Sequence, residues 1–165
     1  MDFKRIVKHL SVSQATLRRT FPKGALSNIE QAITEVEQTH AGQIRFAVEA
    51  ALDIKPLLVG VKARERAIKV FSDLHIWDTE QNNGVLIYLL LADRDVEIVA
   101  DRGVHAKLGQ DVWEIICQEM EAAFRQGKFE EGVIAGISGV GKHLAQHYPQ
   151  HGAKTNELPD TPVVM

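Results

Sequence analysis

The side chains Asp78, Asn82, Asn83 and Asp101 are the ones whose types and spacing point most directly to chemistry, and Trp77, Gly84, Arg102 and Gly103 flank them. Two carboxylates with one or two amide oxygens make the hard donor set that Ca²⁺ or Mg²⁺ prefers. The expected ligands are Asp78, Asn83 and Asp101. Trp77, Asn82, Gly84, Arg102 and Gly103 are the expected binding residues around them, the two glycines giving backbone carbonyls room to approach. Phosphate-ester chemistry would reuse the same edge, with a metal or Arg102 neutralising the phosphate and Asp78 or Asp101 as nucleophile or base. Each residue also has a purely local role open to it. Asp78 would cap a turn, Asn83-Gly84 would supply a left-handed conformation, and Asp101 would pair with Arg102 or Lys107. Catalysis has less behind it than binding. The chain has no Asp-x-Asp pair at a strand end, no phosphatase-type Cys–Arg loop and no dense set of His and Asp. Asp93-Arg94-Asp95 has the letters but reads as a hairpin turn at the opposite edge.

Other chemistry-like patterns read as packing. Gly136-Ile137-Ser138-Gly139-Val140-Gly141-Lys142-His143 has the spacing of a phosphate-cradling loop, yet His143 stands where the Mg²⁺-binding hydroxyl belongs. Val133, Ile137, Val140 and Leu144 keep helical spacing straight through it, so Gly132, Gly136 and Gly139 are expected at a close helix contact. His143 and His147 are spaced like zinc ligands, with His151 beyond Pro149, but no acidic or cysteine partner is near in sequence. Histidines at a helix end also favour its negative dipole terminus. Cys117 reads as a small core residue. Trp77 and Trp113 lack the basic stripe of a stacking platform for bases. Arg64, Arg66 and Lys69 read as a solvated basic helix face.

The composition bounds the rest. With 165 residues, 45% apolar and 25% charged, the chain matches a single soluble globular domain. Nineteen Lys and Arg against 22 Asp and Glu give a net charge of −3, without the basic excess of a nucleic-acid binder. The single cysteine excludes an internal disulfide and a multi-cysteine metal site. Charges interrupt the apolar residues of the first ten positions, so no secretory h-region is read there. The longest apolar run, 85–92, is far shorter than the ~20 residues of a spanning helix. The expectation is a cytoplasmic protein, or one peripheral to a membrane with no direct span.

These side chains need elements to position them. Phe3, Ile6, Val7 and Leu10 recur at helical spacing, and their apolar stripe must be covered by something. Ser13 is expected to cap a short helix reaching Arg19. Phe21-Pro22-Lys23-Gly24 breaks the chain, and Ser27-Asn28-Ile29-Glu30 has the capping-box spacing of a new helix start. Residues 43–50 alternate, with Ile44, Phe46 and Val48 on a dry face and Arg45 and Glu49 on a partly polar one. A loop around Pro56 leads to a helix over 63–77. Residues 85–91 are apolar on both faces, as in a central strand. A helix before that strand favours a parallel crossover, while the short turn after it favours an antiparallel hairpin with 96–101, so a mixed sheet is expected. Helices over 112–124 and 130–147 follow, then a loosely held tail. The strand ends before Val85 and after Ala100 would gather the acidic and amide residues at one edge.

Several segments then resemble the TPM domain family. They are Ala63-Arg64-Glu65-Arg66-Ala67, Leu74-His75-Ile76-Trp77-Asp78-Thr79, Asn83-Gly84-Val85-Leu86-Ile87-Tyr88 and Val96-Glu97-Ile98-Val99-Ala100-Asp101-Arg102-Gly103. Phe124-Arg125-Gln126-Gly127-Lys128-Phe129-Glu130-Glu131-Gly132 and Asn156-Glu157-Leu158-Pro159-Asp160-Thr161-Pro162-Val163 extend the match, which spans residues 28–165. The resemblance implies an α/β/α sandwich with a central mixed β-sheet flanked by helices. Here it carries an N-terminal helical extension over 1–26, the domain over 27–149 and an extended tail over 150–165. The family includes thylakoid-lumen proteins linked to photosystem repair, with a proposed acid phosphatase activity. It also includes bacterial envelope proteins often encoded beside LemA-type membrane proteins, and some members bind calcium. The expected function is a non-catalytic accessory or partner-binding domain able to hold Ca²⁺ or Mg²⁺, in envelope or membrane-protein maintenance, with a LemA-type protein as partner. The alternative is a metal-assisted acid phosphatase acting on phosphate monoesters. No nucleotide, haem, flavin or nucleic acid is expected.

Overall fold

The computed structural model describes residues 2–153 and 155–165. Strands β1 (Gln43–Glu49), β2 (Gly84–Leu90), β3 (Asp95–Ala100) and β4 (Val163–Val164) form one sheet in the order β3-β2-β1-β4. Strand β1 runs parallel to β2 and β4, and β2 and β3 form the antiparallel hairpin. Around the sheet lie α1 (Phe3–Ser11), α2 (Gln14–Thr20), α3 (Lys23–Glu37), α4 (Ile54–Leu58), α5 (Ala63–Asp73), α6 (Arg102–Leu108), α7 (Asp111–Arg125) and α8 (Phe129–His147).

Alternation along the strands divides the interior into two layers. Phe46, Ile87 and Ile98 face Phe21, Ile33, Trp113 and Phe124 on one side, while Leu86, Tyr88 and Leu90 face Leu57, Ala67 and Val70 on the other. This is the expected α/β/α sandwich with a mixed central sheet. Side chains such as Phe46, Ile87 and Trp113 are essentially solvent-free, and each contributes about 1.5–3 kcal/mol of apolar burial. Leu17 and Phe21 of the N-terminal segment are part of this core.

Several local expectations are corrected. Helix α3 begins at Lys23, four residues before the Ser27 capping box, because Pro22 at its N-cap has φ −63, a value the proline ring already imposes. The reciprocal cap occurs instead at Ser13 and Thr16, at the start of α2. Helix α5 stops at Asp73, and His75 with φ 53 takes the chain into a turn. Short helices α4 and α6 occupy stretches without an apolar period long enough to announce them.

The partly polar face of β1 is buried as well. Glu49 accepts two hydrogen bonds from Arg66, at 2.8 and 3.0 Å, and a third from the Tyr88 hydroxyl at 2.6 Å. Arg66 is therefore an ion-pair partner under the sheet rather than a solvated residue, and Arg64 Nη1 donates to Ile98 O at 2.6 Å. The tail is not loose. Arg45 donates to Pro159 O and Thr161 O, Gln43 Oε1 accepts from the Glu157 and Leu158 amides, and β4 pairs with Ala47 and Val48.

Gly132, Gly136 and Gly141 lie inside α8 at its contacts with α7 and α3. A methyl group at Gly136 would collide with Met120 and one at Gly141 with Val36. The apparent phosphate loop is a helix-packing surface. Burial and the Glu49 hydrogen bond push the Tyr88 phenol far above its ordinary range, so it stays a donor. Tyr88→Phe is expected to cost about 1.5–3 kcal/mol, the usual loss for a hydrogen bond to a charged group. Urea denaturation checks this, and an unchanged midpoint would contradict the assigned role.

Candidate functional site

The register pairs Gln43 with Gly84 and Val85 with Ala100, so the starts of β1 and β2 and the end of β3 share one sheet edge. Asp101 leaves β3 by donating its amide to Gly84 O at 2.9 Å and then caps α6, Oδ1 accepting from Arg102 N at 2.7 Å. Asn83 is fully buried. Its amide donates to Thr79 Oγ1 at 3.0 Å, its Nδ2 donates to Ala41 O at 2.9 Å, and its carbonyl accepts from Gln43 N. Asn83 Oδ1 and Asp101 Oδ2 have no hydrogen-bond partner among the described residues, nor do Gln43 Nε2 at the same edge and Gln150 Oε1 beside it. Buried polar atoms are normally satisfied, which makes these atoms the most unusual polar feature of the edge.

Backbone carbonyls crowd the same place. A Cβ on Gly103 would lie 2.5 Å from Asn82 O and 3.1 Å from both Gln81 O and the Tyr148 hydroxyl, and a Cβ on Gly84 would strike Ile76 O. Both glycines are thus required for close approach. Asn82 adopts φ 50, and its Oδ1 accepts from Arg102 Nε at 3.3 Å. Burial raises the pKa of Tyr148, and the charge of Asp101 adds to the rise. Lys107 Nζ sits 3.8 Å from the Tyr148 ring. Beside the edge opens a cleft of about 300 Å³ whose lining includes Ala41, Glu80, Gln81, Gln150, His151 and Glu157.

The structure therefore gathers Asn82, Asn83, Gly84, Asp101, Arg102 and Gly103. Trp77 and Asp78 remain exposed on the preceding turn, where the Asp78 amide donates to His75 O and the two rings of His75 and Trp77 lie 5.8 Å apart. Among the described residues no group of three or more His, Cys, Asp or Glu is arranged to hold a metal. Ala41, Tyr148 and Glu157 belong to the neighbourhood and were not singled out by the sequence. Each arrives from a distant segment, and only Pro149 after Tyr148 signals that the chain turns back there.

The other candidates separate. His143 packs edge-on against the buried Trp113, 6.3 Å between ring centres, whereas His147 and His151 are exposed. Burial, reinforced by Glu97, pushes the Cys117 thiol up to about 12, so it remains protonated. In the turn after β2, Arg94 has φ 54 and Asp93 receives Arg5 and His9 from α1. Burial raises the Asp95 carboxyl to about 6, helped by Glu97, Glu121 and Asp93.

A family model described as TPM domain matches residues 17–143, and the chain belongs to that family. The BA42 protein of the psychrophilic bacterium Bizionia argentinensis, solved by NMR, is 30% identical over 86% of this chain and 93% of its own, with a TM-score of 0.76. The N-terminal domain of a P. gingivalis protein, also solved by NMR, shares the fold at a TM-score of 0.60 and 19% identity, covering 87% of this chain and 96% of that one. No curated protein sequence matches the chain.

A raised folded-state pKa for Asp95 means that the native state holds its proton more tightly than the unfolded chain. The resulting stability is present below the unfolded value of about 4 and is lost as pH rises through about 6. Asp95→Asn is expected to raise the urea midpoint above pH 7 and to flatten the pH dependence between about 4 and 6. Parallel wild-type and variant profiles would contradict this.

Proposed function

We propose that the chain is a non-catalytic accessory domain that binds a partner at the Asn83–Asp101 edge, with a divalent cation held there. The observation that carries this reading is the pair of buried, unpartnered oxygens, Asn83 Oδ1 and Asp101 Oδ2. The donors at hand are a carboxylate, an amide and the Gln81 and Asn82 carbonyls beside Gly103. All are hard oxygens, so they fit Ca²⁺ or Mg²⁺ better than a softer metal. A bound ion would supply local positive charge and compensate the buried carboxylate. Asn83 would orient its oxygen through its Nδ2 bond to Ala41, and Asp101 would keep Oδ1 on the α6 cap. The adjacent cleft, with Glu80 and Glu157 on its wall, gives a partner's polar segment a place to lie. A LemA-type membrane protein and a role in envelope maintenance are the partner and setting the resemblance suggests.

The alternative, a metal-assisted acid phosphatase, asks for a carboxylate free to attack phosphorus or to activate water. Asp101 gives one oxygen to a helix cap and keeps the other buried, Asp78 stands on an exposed turn, and the nearby Arg102 guanidinium is bonded to Asn82. The binding reading asks less of these groups.

Thermal melts in calcium and magnesium test it. An ion that binds only the native state at a hundred times its Kd adds about 2.7 kcal/mol, so Tm is expected to rise with added calcium. Asp101→Asn keeps the cap acceptor, removes the charge and is expected to abolish the rise. An unchanged wild-type Tm in both ions would overturn the cation assignment. Hydrolysis of p-nitrophenyl phosphate, lost in a folded Asp101→Asn variant, would overturn the non-catalytic reading.

A further inference from the structure

Helix α1 is held to the domain by charge and hydrogen bonds more than by apolar burial. Phe3, Val7 and Leu10 are 71%, 50% and 65% exposed, while Ile6 packs against the lower core layer. The anchors converge on one carboxylate in the β2–β3 turn. Arg5 Nε pairs with Asp93 Oδ2 at 2.9 Å, Lys8 Nζ lies 3.7 Å from Asp93 Oδ1, and His9 Nε2 lies 3.1 Å from Asp93 Oδ2. Arg5 Nη1 also donates to Val61 O at 2.8 Å. The helix ends at Ser11, and Val12, in an extended conformation, joins it to α2, whose Leu17 is fixed in the core. A pivot at Val12 would therefore move α1 without disturbing the two core layers.

His9 sets the condition for this attachment. It is 3% exposed, and its Nδ1 accepts the Leu52 amide at 3.0 Å. An accepting Nδ1 carries no proton, so the docked ring is neutral imidazole with its proton on Nε2, toward Asp93. A second proton has only Nδ1 to enter, where it would meet the Leu52 N–H and leave two donors face to face away from water. Asp93 offers such an imidazolium little in return, since Arg5 and Lys8 already answer its charge. The next charges along the facing segments, Asp53 after Leu52 and Arg94 after Asp93, are exposed. Arg5 and Ile6 also form one wall of a cleft of about 680 Å³ whose other side includes Leu57, Asp95 and Glu97. Burial raises the Asp95 carboxyl to about 6, and the charge of Arg5 opposes that rise. Neutralising Asp95 therefore removes an attraction that holds Arg5 in place.

We propose that α1 is a pH-operated strap, closed over this cleft at neutral pH and released by mild acidification through a pivot at Val12. Proton uptake at His9 and at Asp95 acts in the same direction. The docked form needs His9 unprotonated, so its stability is fully present above the ordinary imidazole value of about 6.5 and is lost as pH falls below it. Release uncovers the wall formed by Asp93, Asp95 and Glu97. The strap is anchored at the β2–β3 turn, whereas the Asn83–Asp101 edge lies at the other end of those strands, so this inference stands independently of the proposed cation site.

Backbone relaxation of the ¹⁵N-labelled full chain tests it. At about pH 7.5 the amides of 3–11 are expected to show order parameters of about 0.85, as in rigid backbone, and at about pH 5 to fall below about 0.6. The β1 and β2 amides are expected to stay protected from hydrogen exchange throughout. His9→Asn offers an oxygen to the Leu52 amide but takes up no proton, and it is expected to keep α1 ordered at the lower pH. Asp93→Asn removes the shared charge and is expected to free α1 at both pH values. Unchanged order parameters on acidification would overturn the proposal, as would release of α1 in His9→Asn to the wild-type extent. Loss of exchange protection in β1 and β2 over the same interval would also overturn it, making the change a global unfolding.

Discussion

Strand β1 buries three polar side chains, two of them answered by the tail and the third by α5 and β2. Gln43 takes two amides of the tail, Arg45 holds two tail carbonyls, and Glu49 receives Arg66 from α5 and Tyr88 from β2. Burial lowers the pKa of Arg45, offset by Asp160 and Glu37, while the Glu49 hydrogen bond raises that of Arg66. Leaving one partner of such a buried arrangement unpaired is far costlier than never having built it. The lower face of the sheet is thereby tied at three points to α5, β2 and the tail, all of which follow β1 in the chain.

The candidate site inherits its order from that arrangement. Parallel pairing of β1 with β2 aligns Gln43 with Gly84, which fixes Asn83 against Ala41, and the hairpin returns Asp101 to Gly84 O. The tail held by Gln43 and Arg45 then supplies Thr155 and Glu157 to the cleft beside that edge. The edge and the cleft are consequences of one strand's polar residues, not of a local motif. At the opposite end of the sheet, Asp93 gathers Arg5, Lys8 and His9, so α1 is fastened with its apolar side outward.

What was legible in the sequence follows from range. Alternation at Ile44, Phe46 and Val48, the all-apolar run beginning at Val85, and the helical stripes of α7 and α8 depend on neighbours a few residues apart, so strands, sheet mixture and layers could be read. The packing role of Gly136 could be read as well, because Val133, Ile137 and Val140 kept their period through it. The helix start at Pro22 lost to a more familiar signal at Ser27. The burial of Arg45 and Glu49 was hidden because β4, the strand that makes β1 internal, is two residues long and has no period of its own. At the site, Asn83, Gly84 and Asp101 could be placed together from strand ends alone. The exposure of Asp78 could not, since it depends on α5 stopping at Asp73 rather than continuing to Trp77. Ala41, Tyr148 and Glu157 reach the edge only through long-range pairing.

The central claim is that the buried polar face of β1 holds the tail and with it the wall of the cleft. Hydrogen exchange at Leu158 and Met165, whose amides bond to Gln43 Oε1 and Val48 O, measures this directly. The account predicts that both amides are protected in the wild type, and that Arg45→Met releases them while the β2–β3 amides stay slow. Unprotected exchange at these two amides in the wild-type protein, or protection that survives loss of the Arg45 guanidinium, would contradict it.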